Sequence, residues 1–368
     1  MITALDTGIK NSRNVLRYTF GAGTLQMLKP MLDERRKNSS SYVVLFVDCY
    51  FQNNGSLVKN LPVNSNDTII YVDTKDEPTT EYINQLRNSL IAVHDINPCA
   101  IVGIGGGITL DTAKAVANLL TNEGLAEDYQ GWDLVRNPGV YKIGIPTLSG
   151  TGAEATRTCV MTNKSTGLKL GMNSDHTVYD QLILDPDLTK TVPRNQYFYT
   201  GMDTYIHCLE SLKGNYRNAI GDAFSHQAIS LCRDVFLSDD MMTDENRSKI
   251  MVASYLGGCA IANSYVGLVH PFSAGLSVVF NGHHCVSNCT VMNAMGEFYP
   301  EYYDEFWKMV EKQNVKIPTG IANGLNDSDY SKLYNSTIVH EKPLTNALGE
   351  NFKSILTVEK VREIFERM

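Results

Sequence analysis

The sequence has no run of basic residues longer than Arg35-Arg36-Lys37, and 32 Lys+Arg stand against 40 Asp+Glu for a formal net charge of −8. The electrostatic footprint of a nucleic-acid or anionic-membrane binder is therefore missing. Eight cysteines are scattered from Cys49 to Cys289 without a single CxxC pair. Disulfide scaffolds are smaller and denser in cysteine, so reduced thiols in a cytoplasmic protein are expected. Met1–Lys10 carry Asp6 and no apolar core, so no secretory signal is expected there. The largest gap is in charge: from Ile250 through Gly296 there is no Asp, Glu, Lys or Arg. Gly257-Gly258, Asn263, Ser264, Pro271, Asn281 and three histidines interrupt every apolar span of ~20 residues, which excludes a transmembrane helix. The segment instead predicts small-residue helices buried in a helical domain. Its histidines then need partners.

What is present fits a two-domain enzyme of 368 residues, 43% of them hydrophobic. Tyr42–Val47, Thr68–Val72 and Ala100–Ile104 are apolar runs that read as buried strands. Ile83, Leu86, Leu90 and Ile91 fall at helical spacing between the second and third, and Ile108–Leu120 follows as another helix. Strands separated by helices imply a parallel sheet with right-handed crossovers. From about Tyr197 the apolar period becomes helical, and Val358–Met368 reads as a closing helix. The expected division is an α/β domain over residues 1–190 and a helical domain over 191–368, with Leu184-Asp185-Pro186 to Val192-Pro193 as the boundary.

Two glycine-rich loops lie in the α/β half. Val102-Gly103-Ile104-Gly105-Gly106-Gly107 ends a strand and opens a helix bearing Asp111 and Lys114. Such a turn lets backbone N–H groups meet a phosphate, although a tight strand-to-helix turn alone would need the same glycines. The second loop, Pro146 to Glu154, offers the hydroxyls of Thr147 and Thr151, and the pair of loops favours a nucleotide site. Asp48 closes the first strand. It is either a solvated loop residue or an acceptor for ribose hydroxyls, which would favour NAD over NADP.

Asp203 and His207 stand four apart in a helical pattern and share one face. An ordinary polar pair has that spacing too. The charge-free segment adds His270 and the pair His283-His284. One carboxylate with several imidazoles suits Fe²⁺ or Zn²⁺. Cys208, Cys285 and Cys289 are better read as small packing residues than as soft ligands.

Phe20–Leu25, Gly105–Lys114, Pro146–Glu154, Leu184-Asp185-Pro186, Asp203-x3-His207 and Gly267-x2-His270, in that order, make the chain similar to the iron-containing alcohol dehydrogenase family. That family shares its architecture with dehydroquinate synthase and glycerol dehydrogenase. The resemblance implies a dinucleotide-binding α/β domain, an all-helical C-terminal domain, a cleft between them and a homodimer. It implies a divalent metal held by Asp203, His207, His270 and His284, and NAD(P) held at Asp48, Gly105, Gly106, Gly107, Asp111, Thr147 and Thr151. Gly105, Gly106 and Gly107 would take the diphosphate, and Thr147 and Thr151 the nicotinamide side.

There are departures from the family pattern. Ala274 stands where the pattern has a second His, Ser277 replaces a glycine, and the last ligand sits in His283-His284-Cys285. His283 is left as a proton-relay group. With Tyr129–Leu134 and Phe198–Asp203, these departures look like a narrower group that oxidises the C8 alcohol of 3-deoxy-manno-octulosonate (Kdo). In that group a pyridoxal-phosphate aminotransferase consumes the aldehyde for lipopolysaccharide. The alternatives are a dehydrogenase of another small alcohol or aldehyde, a dehydroquinate-type lyase or synthase, and a non-catalytic nucleotide- or metal-binding regulator.

Overall fold

The computed structural model describes residues 12–54 and 57–368. The expectation about Met1–Lys10 falls outside the described residues. The chain forms two compact units, one of Arg13–Leu148 with Ala153–Thr191, the other including Ser149–Gly152 and Val192–Met368.

The first unit is α/β. Its elements are β1 (Arg17–Phe20), α1 (Leu28–Arg35), β2 (Val43–Asp48), α2 (Tyr50–Asn53), β3 (Thr68–Val72), α3 (Thr80–Val93), β4 (Ala100–Gly105), α4 (Gly107–Leu119), β5 (Gly131–Trp132), β6 (Lys142–Pro146), β7 (Thr158–Asn163), β8 (Leu168–Asn173) and β9 (Gln181–Leu184). Six strands make one sheet in the order β1-β9-β6-β4-β2-β3, parallel throughout. Val43 to Val47 are all fully buried, because a central parallel strand is covered on both faces and needs an unbroken apolar run. Thr79 starts α3 by accepting the Tyr82 N–H. Ile83, Leu86 and Leu90 then face the core, whereas Ile91 is exposed. A separate three-stranded sheet, β5-β8-β7, has β7 and β8 antiparallel.

The second unit is helical, and among the described residues it contains no strand. Its first helices are α5 (Arg194–Lys213), α6 (Ala219–Phe236), α7 (Asp244–Asn263), α8 (Val269–Phe280) and α9 (His284–Val291), and further helices run on to Val358–Glu366. Helix α5 is buried on nearly every side from Tyr197 to Leu212. The charge-free segment forms the second half of α7, all of α8 and all of α9, where close approach demands small residues. A Cβ on Gly257 would stand 2.9 Å from Thr204 Cγ2. Gly150 and Gly152 have positive φ and press the Ser149–Gly152 loop onto the helices: a Cβ on Gly150 would lie 1.6 Å from the Thr200 carbonyl oxygen. Their N–H groups donate to Ser254 Oγ at 2.8 and 3.3 Å, and Thr204 Oγ1 donates to the Gly150 carbonyl. These two glycines therefore serve packing, and their amides are already committed. No helix among the described residues is long and apolar enough to cross a membrane, and all eight cysteines are free thiols.

Lys142 is an unusual resident of the parallel sheet, with its side chain 2% exposed and its Nζ 3.8 Å from Asp180. Arg13 also pairs with Asp180. Burial pulls the Lys142 ammonium down to about 8 despite that carboxylate. The unfolded chain, with an ordinary lysine, binds more protons between about pH 8 and pH 10.5. Stability from this group therefore rises with pH across that window and is at its lowest below it. Lys142→Met is expected to stabilise the protein at pH 7, with the gain over the native chain shrinking as pH climbs past 8. Paired denaturant titrations at pH 7 and 10 test this, and a gain independent of pH would contradict it.

Candidate metal centre and nucleotide-binding turn

Helix α5 carries Asp203, His207 and Glu210 at i, i+4 and i+7, one face of a helix that is buried all round. Helix α8 brings His270 and helix α9 brings His284. Asp203, His270 and His284 each offer a ligand atom, and these atoms lie within 4.8 Å of one another. His270 Nε2 is 3.5 Å from Asp203 Oδ1, and His284 Nε2 is 3.5 Å from Asp203 Oδ2. Two ligands ~2.1 Å from one ion at a tetrahedral angle stand roughly 3.4 Å apart, so these separations fit a shared first-row cation. His207 stands beside the group: its Nε2 is 3.8 Å from Asp203 Oδ1, and its ring stacks on His270 at 4.6 Å. Its Nδ1 is buried and has no hydrogen-bond partner.

Glu210 is the residue that spacing arguments overlooked. Its side chain is fully buried. It accepts from the Val269 N–H and lies 2.5 Å from His270 Nδ1. That contact fixes the ring and turns Nε2 toward Asp203, as an outer carboxylate does for a metal-bound histidine. The Asp-x3-His-x2-Glu spacing on a buried helix was the available signal.

The electrostatics follow from burial. Burial pushes Asp203 up, but His207, His284 and His270 outweigh it and hold its carboxyl well below the usual carboxylate range. Burial lowers His207 to about 4, leaving the imidazole neutral with a lone pair to donate. Burial also opposes charge on His270, yet Glu210 and then Asp203 prevail and raise it to about 9. A cation arriving there displaces a proton.

The departures near the centre have structural roles. Ser277 Oγ donates to the Gly282 carbonyl, closing the turn between α8 and α9 in which Asn281 takes a left-handed conformation. The Cys285 thiol points at Asp203 Oδ2 at 3.6 Å. His283 is exposed at the N-terminus of α9, and its side chain does not cap that helix. Ala274, four after His270 on the same helix, is 9% exposed.

In the α/β unit, β4 runs into Gly105 and Gly106, and no side chain caps α4. Its N-terminal dipole is open to an anion. A Cβ on Gly105 would stand 2.6 Å from Thr109 Oγ1 and 3.1 Å from Asp48 Cβ, and one on Gly106 2.8 Å from Leu148. Only glycine fits this floor. The Thr109 hydroxyl is buried and has no hydrogen-bond partner, a second feature that suits a bound nucleotide. Gly107 opens the helix. Asp48, at the carboxyl end of β2, accepts from the Tyr50 N–H and Thr74 Oγ1, and burial raises its carboxyl. Thr147 is buried, with its N–H on the Gly105 carbonyl at 3.0 Å. Asp111 lies one turn into the helix that the turn opens. It accepts the Val160 N–H and pairs with buried Lys114, which also donates to Thr156 and the Thr158 carbonyl, tying α4 to β7. Thr151 is half-buried in the Ser149–Gly152 loop of the helical unit.

Residues 16–186 match the model of "Iron-containing alcohol dehydrogenase", and residues 197–335 that of "Fe-containing alcohol dehydrogenase family, C-terminal". The chain belongs to the iron-containing alcohol dehydrogenase family. It is 34% identical over 213 residues to a sulfoacetaldehyde reductase of Bilophila wadsworthia, a match covering 57% of this chain and 54% of that protein. It is 29% identical over 255 residues to an NAD-dependent methanol dehydrogenase of Bacillus methanolicus, covering 68% and 66%. These matches span about half of the first relative and just under two thirds of the second. A solved structure of sulfoacetaldehyde reductase from Bifidobacterium kashiwanohense in complex with NAD+ superposes with a TM-score of 0.80 at 18% identity, covering 97% of this chain and 98% of that one. The fold is shared over nearly the whole chain.

Removing an outer carboxylate from a ligating histidine costs about 10–100-fold in metal affinity. Glu210→Gln should weaken Zn²⁺ or Co²⁺ binding by that factor in a competition titration. Unchanged affinity would show that Glu210 does not orient His270.

Proposed function

We propose that the protein is a metal-dependent, nicotinamide-linked oxidoreductase that interconverts a primary alcohol and its aldehyde. The observation that carries this reading is the convergence of Asp203, His270 and His284 within 4.8 Å, with His207 adjacent. A divalent cation bound by these residues supplies electron withdrawal at an alcohol oxygen, and a nicotinamide supplies the hydride acceptor. Asp203 provides the one negative charge among the donors, and Glu210 keeps the His270 lone pair aimed at the centre. The stretch free of Asp, Glu, Lys and Arg that includes α8 and α9 brings no competing fixed charge to the donor set. Gly105, Gly106 and the start of α4 hold a diphosphate, and Asp48 accepts ribose hydroxyls in preference to a 2′-phosphate. Thr147 and Thr151 serve the nicotinamide side. His283, exposed at the head of α9, exchanges the released proton with solvent.

Two of the relatives above take their names from sulfoacetaldehyde and methanol, which supports a small alcohol or aldehyde. Ala274 favours a second reading. It sits one turn beyond His270 on the same face of α8, so alanine in place of an imidazole leaves volume for a longer chain such as the C8 end of Kdo. An aldehyde made there would require a consuming step such as amination by a pyridoxal-phosphate enzyme. We also propose that the protein works as a homodimer in the cytoplasm.

Product analysis by mass spectrometry tests the reading. Metal-loaded protein is incubated with Kdo anaerobically with NAD⁺ and aerobically without it, and in parallel with sulfoacetaldehyde plus NADH. Aldehyde from Kdo only in the NAD⁺ arm is the outcome expected of the second reading, and reduction of sulfoacetaldehyde alone that of the first. Aldehyde only in the aerobic arm would remove the nicotinamide from the mechanism. Bound NAD with metal content near zero and no turnover would favour a non-catalytic regulator.

A further inference from the structure

Asn288 lies one turn after His284 on α9 and is fully buried. Its amide nitrogen is 2.6 Å from Asp203 Oδ1 and 3.2 Å from both His270 Nε2 and His284 Nε2. Asp203, His270 and His284 are the three residues of the donor set. An amide has two hydrogens to give, so Asp203 and one imidazole take them while the other ring touches the same nitrogen. The carboxylate dictates which way the amide faces, since the reverse orientation would press Oδ1 against an anion. That Oδ1 is buried and has no hydrogen-bond partner. A buried side chain that leaves its own acceptor unsatisfied while its donor meets three ligand atoms is specialised for those ligands.

We infer that Asn288 is a positioning residue that assembles the donor set ahead of the ion. This inference rests on reading Asp203, His270 and His284 as metal ligands. With no cation bound, the amide nitrogen is the shared partner that touches one carboxylate oxygen and two imidazole nitrogens brought in by three different helices. The cation and the amide want the same lone pairs on Asp203 and His284. Binding therefore exchanges amide hydrogen bonds for coordination bonds, and the amide stabilises the metal-free protein more than the loaded one.

The test compares thermal unfolding of the chelator-treated and Co²⁺-loaded full chain for the native protein, Asn288→Leu and Asn288→Asp, with the visible absorption of bound Co²⁺ recorded for each. Leucine keeps the volume and removes the donor. Losing hydrogen bonds to a charged group should lower the melting temperature of the chelated variant by roughly 4–8 °C, with less than half that loss in the Co²⁺ form. Aspartate brings a second carboxylate against Asp203, so its chelated form should fall further and its metal-induced gain should be the largest of the three. If the leucine variant does not fold, the aspartate variant decides by the same comparison. Equal losses in chelated and loaded forms would overturn the inference and leave Asn288 as packing. Altered Co²⁺ bands in Asn288→Leu would overturn it by making the amide a ligand. If the native chain neither binds Co²⁺ nor gains stability from it, the metal reading fails and the inference with it.

Discussion

A carboxylate in the middle of an apolar helical core is the constraint around which the second unit is arranged. Asp203 is fully buried, and an isolated buried charge costs at least several kcal/mol. Everything within reach of it answers that cost: His207 from its own helix, His270 and His284 from two others, the Cys285 thiol and the Asn288 amide. A second buried carboxylate, Glu210, would double the problem, but it is committed to His270 and the Val269 N–H. The lack of Asp, Glu, Lys and Arg from Ile250 through α8 and α9 follows from the same logic. Any further fixed charge there would compete for the same few partners.

The α/β unit solves a different problem, bringing backbone close to an anion without side chains in the way. The parallel sheet delivers β4 into a glycine turn whose floor is crowded by Thr109, Asp48 and Leu148. The turn can therefore be neither rebuilt nor filled. Asp48 arrives at the same end because β2 lies next to β4. Asp111 and Lys114, on the following helix, bond to the backbone of β7 and fix the helix that the turn opens.

The parts of this architecture that were legible in the sequence are those where burial leaves a periodic trace. Tyr42–Val47, Thr68–Val72 and Ala100–Ile104 were readable as strands because two-sided burial forces an unbroken apolar run. The edge strand Arg17–Phe20 is largely exposed, and β7 and β8 mix polar with apolar residues, so no such trace marks them. Ile91 fits the helical period yet faces out, since periodicity alone does not say where an apolar stripe ends. His270 stood out because an imidazole in a charge-free segment has no counter-charge close by in sequence. The Asp203–His207 pair stood out because a four-residue spacing puts both side chains on one helical face. Glu210 and Asn288 did not. A glutamate near a helix end resembles a surface residue, and an uncharged asparagine four after His284 resembles any polar helix residue. Glu210 reaches His270, and Asn288 reaches Asp203 and His270, through contacts between helices that are remote in sequence.

The short Ser149–Gly152 segment makes the helical unit discontinuous in the chain. Gly150 and Gly152 supply the N–H groups that occupy Ser254, and Gly150 supplies the carbonyl that takes the Thr204 hydroxyl, one residue from Asp203. A fragment beginning at Val192 would lose these three contacts. During synthesis, the segment leaves the ribosome well before the helices that receive it. The helical unit is thus not one contiguous stretch of chain. The helical unit is completed by a loop made long before it.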